Sequence, residues 1–415
     1  MKRLTVLILC LAAIPAMAQH NTRQEVFDDI ERAGGVYYMY PMNQPKPTVA
    51  PKGYKPFYIR HVGRHGARYA LGDTVYEDLM AVWQKAHEGG LLTPAGEEFY
   101  NEYASIYPEL TRREGLLTHK GQDQHRYIAR NMYENYPEVF KGQTMVRAYS
   151  TVSHRVIVSM FSFLSELENL DATLDFDADY GYPYQAFLLP EVIDSGEDRD
   201  AGLEDFERFK NENLNLDAIT GRWFTNPDAV LEDKYKFCFD LHTLVSTLDN
   251  IDIPAPQGLY GLFTPQERYS LWRVSNFRDY QIVGWYSKVQ NLRPKAMKNL
   301  LADIIDNAET DWQKGISLRL RFAHDSSLMP LLSLMNVNGW GIVTDNPEEV
   351  EKYWRSFDIP MATNFQLIFF KSKKNPDVLV QVLHNGFEAT LPFPMAAPGS
   401  FYRWEDIKAY YSKLL

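Results

Sequence analysis

The chain has 415 residues, of which 45% are hydrophobic and 23% are charged, and its formal net charge is −11. This length is sufficient for two packed units or for one large core with an insertion. The acidic charge argues against a protein that binds nucleic acid or anionic membranes over its surface. Two cysteines are present, Cys10 and Cys238.

The N-terminus has the pattern of a secretory signal peptide. Lys2 and Arg3 precede an apolar stretch at 4–14 and a small-x-small sequence at 16–18. The apolar stretch is too short to span a bilayer, so we expect a signal peptide over 1–18 with cleavage near Ala18. The protein is then secreted or periplasmic. Loss of Cys10 leaves one cysteine, which excludes an internal disulfide.

The first part of the chain alternates between strand and helix patterns. A short helix is predicted at 24–32, followed by an extended, proline-containing arm. The first strand is predicted at 57–60 and the second at 145–149. Helices are predicted at 74–87, from 93 onward, at 118–136 and at 155–166.

Helical patterns dominate between about 167 and 310. They cover 202–212, 229–248, 265–290 and 294–308. Strand patterns return at 316–322, 364–371 and 377–383, with helices at 326–335 and at the C-terminus. Strands at both ends with helices between them predict an α/β fold, in which a mostly parallel sheet is flanked by helices. We expect a catalytic domain formed by 19–166 plus 311–415, and an inserted helical cap over 167–310.

A compact motif, Arg64-His65-Gly66-Ala67-Arg68, follows the first strand. Arginine binds phosphate through two parallel charge-assisted hydrogen bonds, and a neutral imidazole nitrogen is a nucleophile at mild pH. Gly66 leaves room for a phosphate beside the backbone. The motif therefore indicates a phosphate site at the end of a strand.

Two further strand ends carry polar residues. Ser150-Thr151 follows the second strand, with Arg155 in the next helical turn, and His324-Asp325 follows the strand at 316–322. If these strands are neighbours and parallel, the three loops lie on one sheet edge. A carboxylate does not suit a simple anion site, but a general acid must give a proton to the leaving oxygen.

These motifs resemble the signatures of the histidine phosphatase superfamily. Residues 64–68 resemble its R-H-G-x-R signature, His324-Asp325 resembles its second signature, and 150–155 is similar to the stretch that supplies a third phosphate-binding arginine. Leu117-Thr118-x-x-Gly121 is similar to its L-T-x-x-G helix start. The order of the motifs agrees with the acid phosphatase and phytase branch, the histidine acid phosphatases, which are related to multiple inositol polyphosphate phosphatases.

The resemblance implies a phosphoglycerate mutase-like fold, no metal and no cofactor. It implies that His65 attacks phosphorus to form a phosphohistidine and that Asp325 protonates the leaving oxygen. It also implies that four residues bind the phosphoryl oxygens: Arg64, Arg68, Arg155 and His324. Ala70 replaces a frequent proline, which affects the stiffness of the loop and not the chemistry. His-Asp replaces the His-Ala-Glu of many inositol polyphosphate phosphatases, and this departure weakens a specific inositol phosphate assignment.

The sequence also supports predictions for several polar residues outside the motifs. We expect His61 to pack near the site and not to bind metal with His65, and we expect His125 and Arg126 to face solvent. Arg319 and Arg321 are expected to pair with acids near the cap. His384-Asn385-Gly386 is expected to form a hairpin turn, with a wall of the site as the alternative.

The sequence thus predicts a secreted phosphomonoesterase that acts on a small-molecule phosphomonoester, with no nucleic acid or membrane partner. Phytate or another inositol phosphate, and a broad acid phosphatase or sugar phosphatase activity, are equally favoured. A phosphotransferase or mutase and a non-catalytic phosphate-binding protein are the remaining alternatives. For a polyphosphorylated substrate, a basic mouth is expected from residues near the motifs: Lys52, Lys55, Arg60, Arg112, Arg113, Arg126 and Arg130.

Overall fold

A mixed β-sheet organises the protein, and the computed structural model describes it within residues 20–72, 74–192 and 202–415. The predicted signal peptide at 1–18 lies outside these residues. The ten strands are β1 (Tyr54–Arg64), β2 (Met145–Ser150), β3 (Asp175–Tyr180), β4 (Trp285–Tyr286), β5 (Ile316–Ala323), β6 (Val343–Thr344), β7 (Asn364–Ser372), β8 (Leu379–His384), β9 (Phe387–Glu388) and β10 (Phe401–Arg403).

The main sheet has the order β10-β8-β7-β1-β5-β2-β3, with β9 paired to β8. The pairs β1/β5, β5/β2 and β2/β3 are parallel, whereas β7, β8 and β10 continue the sheet in antiparallel fashion. The predicted α/β class is therefore confirmed, and the parallel part is the half that carries the motifs. The hairpin expected at the end of β8 is also present, with positive φ angles at Asn385 and Gly386.

Helices flank the sheet and fill the middle of the chain. In chain order they are α1 (Thr22–Asp28), α2 (Val75–Glu88), α3 (Pro94–Leu110), α4 (His119–Asn135), α5 (His154–Leu170), α6 (Tyr182–Leu188), α7 (Leu203–Asn213), α8 (Leu216–Thr220), α9 (Pro227–Val230), α10 (Lys234–Thr247), α11 (Gln257–Tyr260), α12 (Pro265–Val283), α13 (Leu292–Ala296), α14 (Lys298–Asp306), α15 (Ala308–Gln313), α16 (Asp325–Met335), α17 (Pro347–Val350) and α18 (Trp404–Tyr411). A 3-10 segment, Ile30–Tyr37, follows α1.

Alternating side chains of the strands supply two apolar layers, one on each face of the sheet. Tyr58 and Val62 of β1 face one layer, and Ile59 faces the other together with Leu318 and Leu320 of β5. A third apolar cluster lies within the helices and joins α2 and α3 to α10. The predicted domain boundaries stay a prediction, but α2 and α3 share this helical core, and β3 extends the sheet from within the segment expected as cap.

Ion pairs with low solvent exposure lie on the face of β5 that carries Arg319 and Arg321. Arg319 binds Asp311 and Arg321 binds Asp303, so the expected pairing with acids near the cap is confirmed. Arg60 of β1 also binds Asp311, at 2.6 Å. Alternation along the strands places these guanidiniums on one face, which removes Arg60 from the expected basic mouth.

No helix among the described residues has the length and apolar character needed to cross a membrane.

Candidate active site

The predicted site residues meet at one edge of the sheet. Arg64 and Ala323 are register partners where β1 and β5 end, and Ser150 of β2 is opposite Phe322 of β5. The next residue of each strand therefore enters the same crevice. His65 and His324 follow β1 and β5, and their ring centroids lie 5.8 Å apart.

The loop after β1 is packed against the start of α4. A Cβ on Gly66 would lie 2.3 Å from the carbonyl oxygen of Gly121, and a Cβ on Gly121 would lie 2.3 Å from that of Ala67. Both glycines are required by this close approach of two backbones. The expectation that Gly66 makes room for phosphate is therefore wrong in its physical reason. Thr118 caps α4 and also donates its hydroxyl to the Ala67 carbonyl at 3.0 Å.

The imidazole of His65 has a defined orientation. Its Nδ1 lies 2.9 Å from the carbonyl oxygen of Gly66. A carbonyl oxygen only accepts, so Nδ1 carries the proton and Nε2 keeps its lone pair. Burial, and then the charges of Arg64 and Arg68, lower the pKa of His65 well below its usual value. The ring is therefore neutral at pH 7, with a free nitrogen at Nε2.

Three guanidiniums surround this ring. Arg64 donates from Nη1 to the carbonyl of Ile359 at 3.0 Å, and Arg68 donates from Nη1 to the carbonyl of Tyr69 at 2.9 Å. The guanidinium of Arg68 also lies 5.1 Å from the ring centroid of Tyr37. Within the described residues, one buried donor of each predicted phosphate-binding arginine has no protein acceptor: Nε of Arg64, Arg68 and Arg155.

His324 and Thr151 face each other across the ends of β5 and β2. The hydroxyl oxygen of Thr151 lies 3.0 Å from Nε2 of His324. Burial, and then the charge of Arg155, lower the pKa of His324 to about 4. A neutral His324 can donate from Nδ1 to an anion only if Nε2 accepts from the Thr151 hydroxyl.

Asp325 is the carboxylate of the site. Its Oδ2 lies 2.5 Å from Nη2 of Arg64, and its Oδ1 accepts the backbone N–H of Ser326 at 2.7 Å. Burial raises the pKa of Asp325, but the charges of Arg64 and Arg68 outweigh burial, so this pKa is lowered overall. Three guanidiniums and one carboxylate give the site a net charge of +2, which matches a phosphoryl dianion.

A second carboxyl lies near Asp325. Asp279 belongs to α12, which packs against α16, the helix that begins with Asp325. Burial, and then the negative charge of Asp325, raise the pKa of Asp279 to about 7. No sequence pattern pointed to this residue, because it lies 46 positions from Asp325 in a segment without a motif.

One expectation around the site is wrong, and a second is weakened. His125 does not face solvent: it is buried, with its ring centroid 5.7 Å from that of Phe322. The expected basic mouth is largely neutralised, because carboxylates pair with Arg113, Arg126 and Arg130. Lys55 lies near the start of β1, and about 30 Å of extended chain separates it from the site. His61 packs between Phe163 and Phe322, as expected for a packing residue.

His384 and Asn385 line a cavity elsewhere. This cavity has a volume of about 720 Å³ and is shared with Arg355 and Asp358. The wall of this cavity contains none of the six predicted site residues, and a wall of the site formed by His384 and Asn385 stays a prediction.

A neutral histidine beside three guanidiniums and one carboxylate is an arrangement that suits a phosphoryl dianion. The family model for the histidine phosphatase superfamily, branch 2, matches residues 59–207. A search of curated protein sequences gave no significant match.

Solved structures with the same fold include multiple inositol polyphosphate phosphatase from Bifidobacterium longum in complex with inositol hexasulfate. It has 17% identity and a TM-score of 0.72, over 91% of this chain and 97% of that chain. The phytase from D. castellii has 16% identity and a TM-score of 0.69, over 93% of this chain and 85% of that chain. The phytase of Klebsiella sp ASR1 has 11% identity and a TM-score of 0.56, over 87% and 96%.

The resemblance found in the sequence is thus confirmed: residues 59–207 match the family model of the histidine phosphatase superfamily, branch 2, and the solved phytases and inositol polyphosphate phosphatase share the fold. The predicted enzyme class, a phosphoric monoester hydrolase, agrees with this family.

Proposed function

We propose that this chain is an exported phosphomonoesterase that hydrolyses its substrate through a phosphohistidine at His65. The observation that carries the proposal is the free Nε2 of a neutral, buried imidazole inside a site of net charge +2. A phosphoryl dianion in this site balances the charge, and a nitrogen lone pair faces its phosphorus. Positioning and charge stabilisation supply most of the catalysis of phosphoryl transfer.

The reaction has two steps. In the first, the Nε2 lone pair forms a bond to phosphorus while the bond from phosphorus to the alcohol oxygen breaks. A protonated Asp325 gives its proton to the departing oxygen. In the second, water attacks phosphorus and gives a proton to Asp325, the P–N bond breaks, and phosphate and neutral His65 are released.

Arg64, Arg68, Arg155 and His324 are the proposed ligands of the phosphoryl oxygens. Support comes from the unpartnered Nε donors of the three arginines and from the hydrogen bond between His324 and Thr151. Arginine presents several donors in a fixed plane, which suits three equatorial oxygens that carry developing charge.

Inositol phosphates are the substrate class that we propose first. The support is structural likeness to a protein solved with inositol hexasulfate and to two phytases. A broad acid phosphatase or sugar phosphatase activity is the second candidate. It is favoured by the pairing of Arg113, Arg126 and Arg130 with carboxylates, because paired charges attract a polyanion less strongly than free ones.

The test is phosphate release from phytate and from a simple sugar phosphate, measured side by side at pH 6 with a chelator present. We expect His65→Ala to abolish release, and the exposed His87→Ala to retain it as the matched control. Rapid acid-free quenching with labelled substrate should trap label on wild-type protein and not on His65→Ala. Release by His65→Ala at the wild-type rate would refute the proposal.

The proposal of export rests on the signal-peptide pattern of residues 1–18. The proposed domain division rests on the helical pattern between 167 and 310. We propose removal of the signal peptide near Ala18 and a cap formed by 167–310. N-terminal sequencing of protein recovered from the periplasm or medium tests export, with an N-terminus near Gln19 as the expected result. An uncleaved cytoplasmic protein would contradict it.

A further inference from the structure

One peptide group lies between His65 and the side chain of Gln124. Its carbonyl belongs to Gly66 and lies 2.9 Å from Nδ1 of His65. Its N–H belongs to Ala67 and donates to Oε1 of Gln124 at 2.8 Å. The imidazole, the peptide and the glutamine amide therefore form one continuous chain of hydrogen bonds.

The amide of Gln124 has a fixed orientation. The side chain lies on α4 and is 1% exposed. The Ala67 N–H can only donate, so the oxygen of Gln124 must face it. The amide nitrogen lies 3.5 Å from Sδ of Met39, which is a weak acceptor. Reversing the amide would place two donors against each other in a buried site.

A chain of hydrogen bonds polarises each of its members. Acceptance by Gln124 draws the Ala67 proton and makes the Gly66 carbonyl a better acceptor for Nδ1–H. The proton is thereby held at Nδ1, and electron density at Nε2 rises. A neutral imidazole has two tautomers, and only the tautomer with hydrogen at Nδ1 leaves Nε2 free to attack.

We propose that Gln124 is a positioning residue for the nucleophile, which fixes the tautomer and ring orientation of His65 through the peptide between Gly66 and Ala67. This inference rests on the proposed role of His65. Gln124 touches neither substrate nor phosphorus, and it acts only through this peptide.

A neighbouring contact provides an internal comparison. Ser159 of α5 is also fully buried and accepts the N–H of Gly66 at 3.1 Å. That N–H belongs to the preceding peptide group, between His65 and Gly66. Ser159 therefore anchors the loop without belonging to the chain that ends at Nδ1.

The experiment compares Gln124→Leu with Gln124→Glu, which keeps an oxygen acceptor. The first readout is the tautomer of His65 at pH 7, from nitrogen-15 NMR of the imidazole. We expect hydrogen at Nδ1 in wild type, a mixture of tautomers in Gln124→Leu, and the wild-type tautomer in Gln124→Glu. The second readout is steady-state kinetics, in which kcat of Gln124→Leu falls about 10- to 100-fold with little change in KM.

Two matched variants separate positioning from general damage. Ser159→Ala should destabilise the loop yet leave the tautomer of His65 unchanged. Gln122→Leu lies on the same helix, where Gln122 contacts Arg126, and should keep wild-type kcat. A wild-type tautomer in Gln124→Leu, or an equal tautomer change in Ser159→Ala, overturns the proposal.

The NMR readout needs no activity. Hydrogen at Nε2 in the wild-type protein would overturn the inference even if Gln124→Leu did not fold. Full activity of His65→Ala with hydrogen at Nδ1 in wild type would instead refute the proposed function alone.

Discussion

Arg64 and Asp325 form a partly buried ion pair, with Nη2 and Oδ2 2.5 Å apart, although 261 positions separate them in the chain. The pair joins the ends of β1 and β5, so it places the proposed acid beside the proposed nucleophile. It also keeps Asp325 ionised in the free protein. A bound phosphoryl dianion shares the charge of Arg64, which lets the pKa of Asp325 rise before a proton is required.

Asp325→Asn, assayed with two kinds of leaving group, tests whether Asp325 donates a proton or only balances the charge of the arginines. We expect a loss of about 10²- to 10⁴-fold in kcat with alkyl phosphates, which need a proton on the leaving oxygen. The loss should be much smaller with p-nitrophenyl phosphate, whose phenolate leaves without one. Parallel kcat measurements on the two substrates check this, and equal losses would remove Asp325 from the acid role.

Thr151→Val tests how His324 is oriented. Removing the hydroxyl deletes the partner 3.0 Å from Nε2 of His324, so His324 can turn its donor away from the anion. Affinity for inorganic phosphate as a competitive inhibitor is expected to fall about 5- to 10-fold, which corresponds to one hydrogen bond. Thr151→Ser keeps the hydroxyl and should restore the affinity, whereas weak binding by both variants would contradict the assignment.

Asp279→Asn tests the second carboxyl. Because the pKa of Asp279 is raised to about 7 by burial and by Asp325, this group gains its negative charge as pH rises through 7. The new charge beside the site should weaken binding of anionic substrates, so KM of the wild-type enzyme rises between pH 6 and 8. The variant should lose this rise. Asp240→Asn, which removes a surface partner of Lys236, should retain it.

Gly121→Ala tests the backbone approach between α4 and the motif loop. Its Cβ would lie 2.3 Å from the carbonyl oxygen of Ala67, so the loop that carries His65 must move. We expect a stability loss of about 1–3 kcal/mol in chemical denaturation and a fall in kcat. Gly261→Ala, where a Cβ would make only an ordinary contact at 3.4 Å, is the control. Equal stability and equal kcat in the two variants would show that the backbones of Gly121 and Ala67 are not in close contact.

Buried histidines predict sensitivity to acid. Burial lowers the folded-state pKa of several of them, and all must take up a proton near pH 6.5 in the unfolded chain. The unfolded state therefore binds more protons below pH 6.5, and stability is lost as pH falls toward 4, by about 1.4 kcal/mol per pH unit for each histidine. The folded pKa values are about 3 for His61, His125 and His242, and about 4 for His324 and His384.

The measurement is urea denaturation at pH 7.5, 6 and 5. His125→Phe should reduce the slope of stability against pH, and the exposed His119→Gln should not. A transition midpoint that is the same at pH 7.5 and pH 5 would contradict this expectation.

Local patterns predicted the elements that carry the site. β2 and β5 and the helices after the three strands lie close to their predicted positions, because alternating or helical apolar spacing is a property of neighbouring residues. β1 is longer than the predicted 57–60, since it runs from Tyr54 to Arg64 and so includes the first residue of the motif. That the three strands are parallel neighbours was a condition of the prediction, and the structure shows it, which places His65 and His324 at one edge of the sheet. The ion pairs of Arg319 and Arg321 were also foreseen, since charges on a covered sheet face need partners.

The wrong expectations concern tertiary contacts, which residues make with parts of the chain that are distant in the sequence. His125 lies on a helix with many polar residues, and only the packing of α4 over β5 showed that it is buried. Gly66 suggested room for a ligand, but the room is filled by Gly121. Arg60 was counted as a surface charge, although Asp311 neutralises it inside the fold.

The sequence by itself predicted the family resemblance and the six proposed site residues, because these depend on residue type and on spacing along the chain. Only the tertiary structure decided how those residues are held. The hydrogen bond from Ala67 to Gln124 joins residues 57 positions apart in the chain, and the hydrogen bond between Thr151 and His324 joins residues 173 positions apart. The protonation states of His65, Asp279 and Asp325 depend on burial and on charges contributed by other elements, which arise when the chain packs.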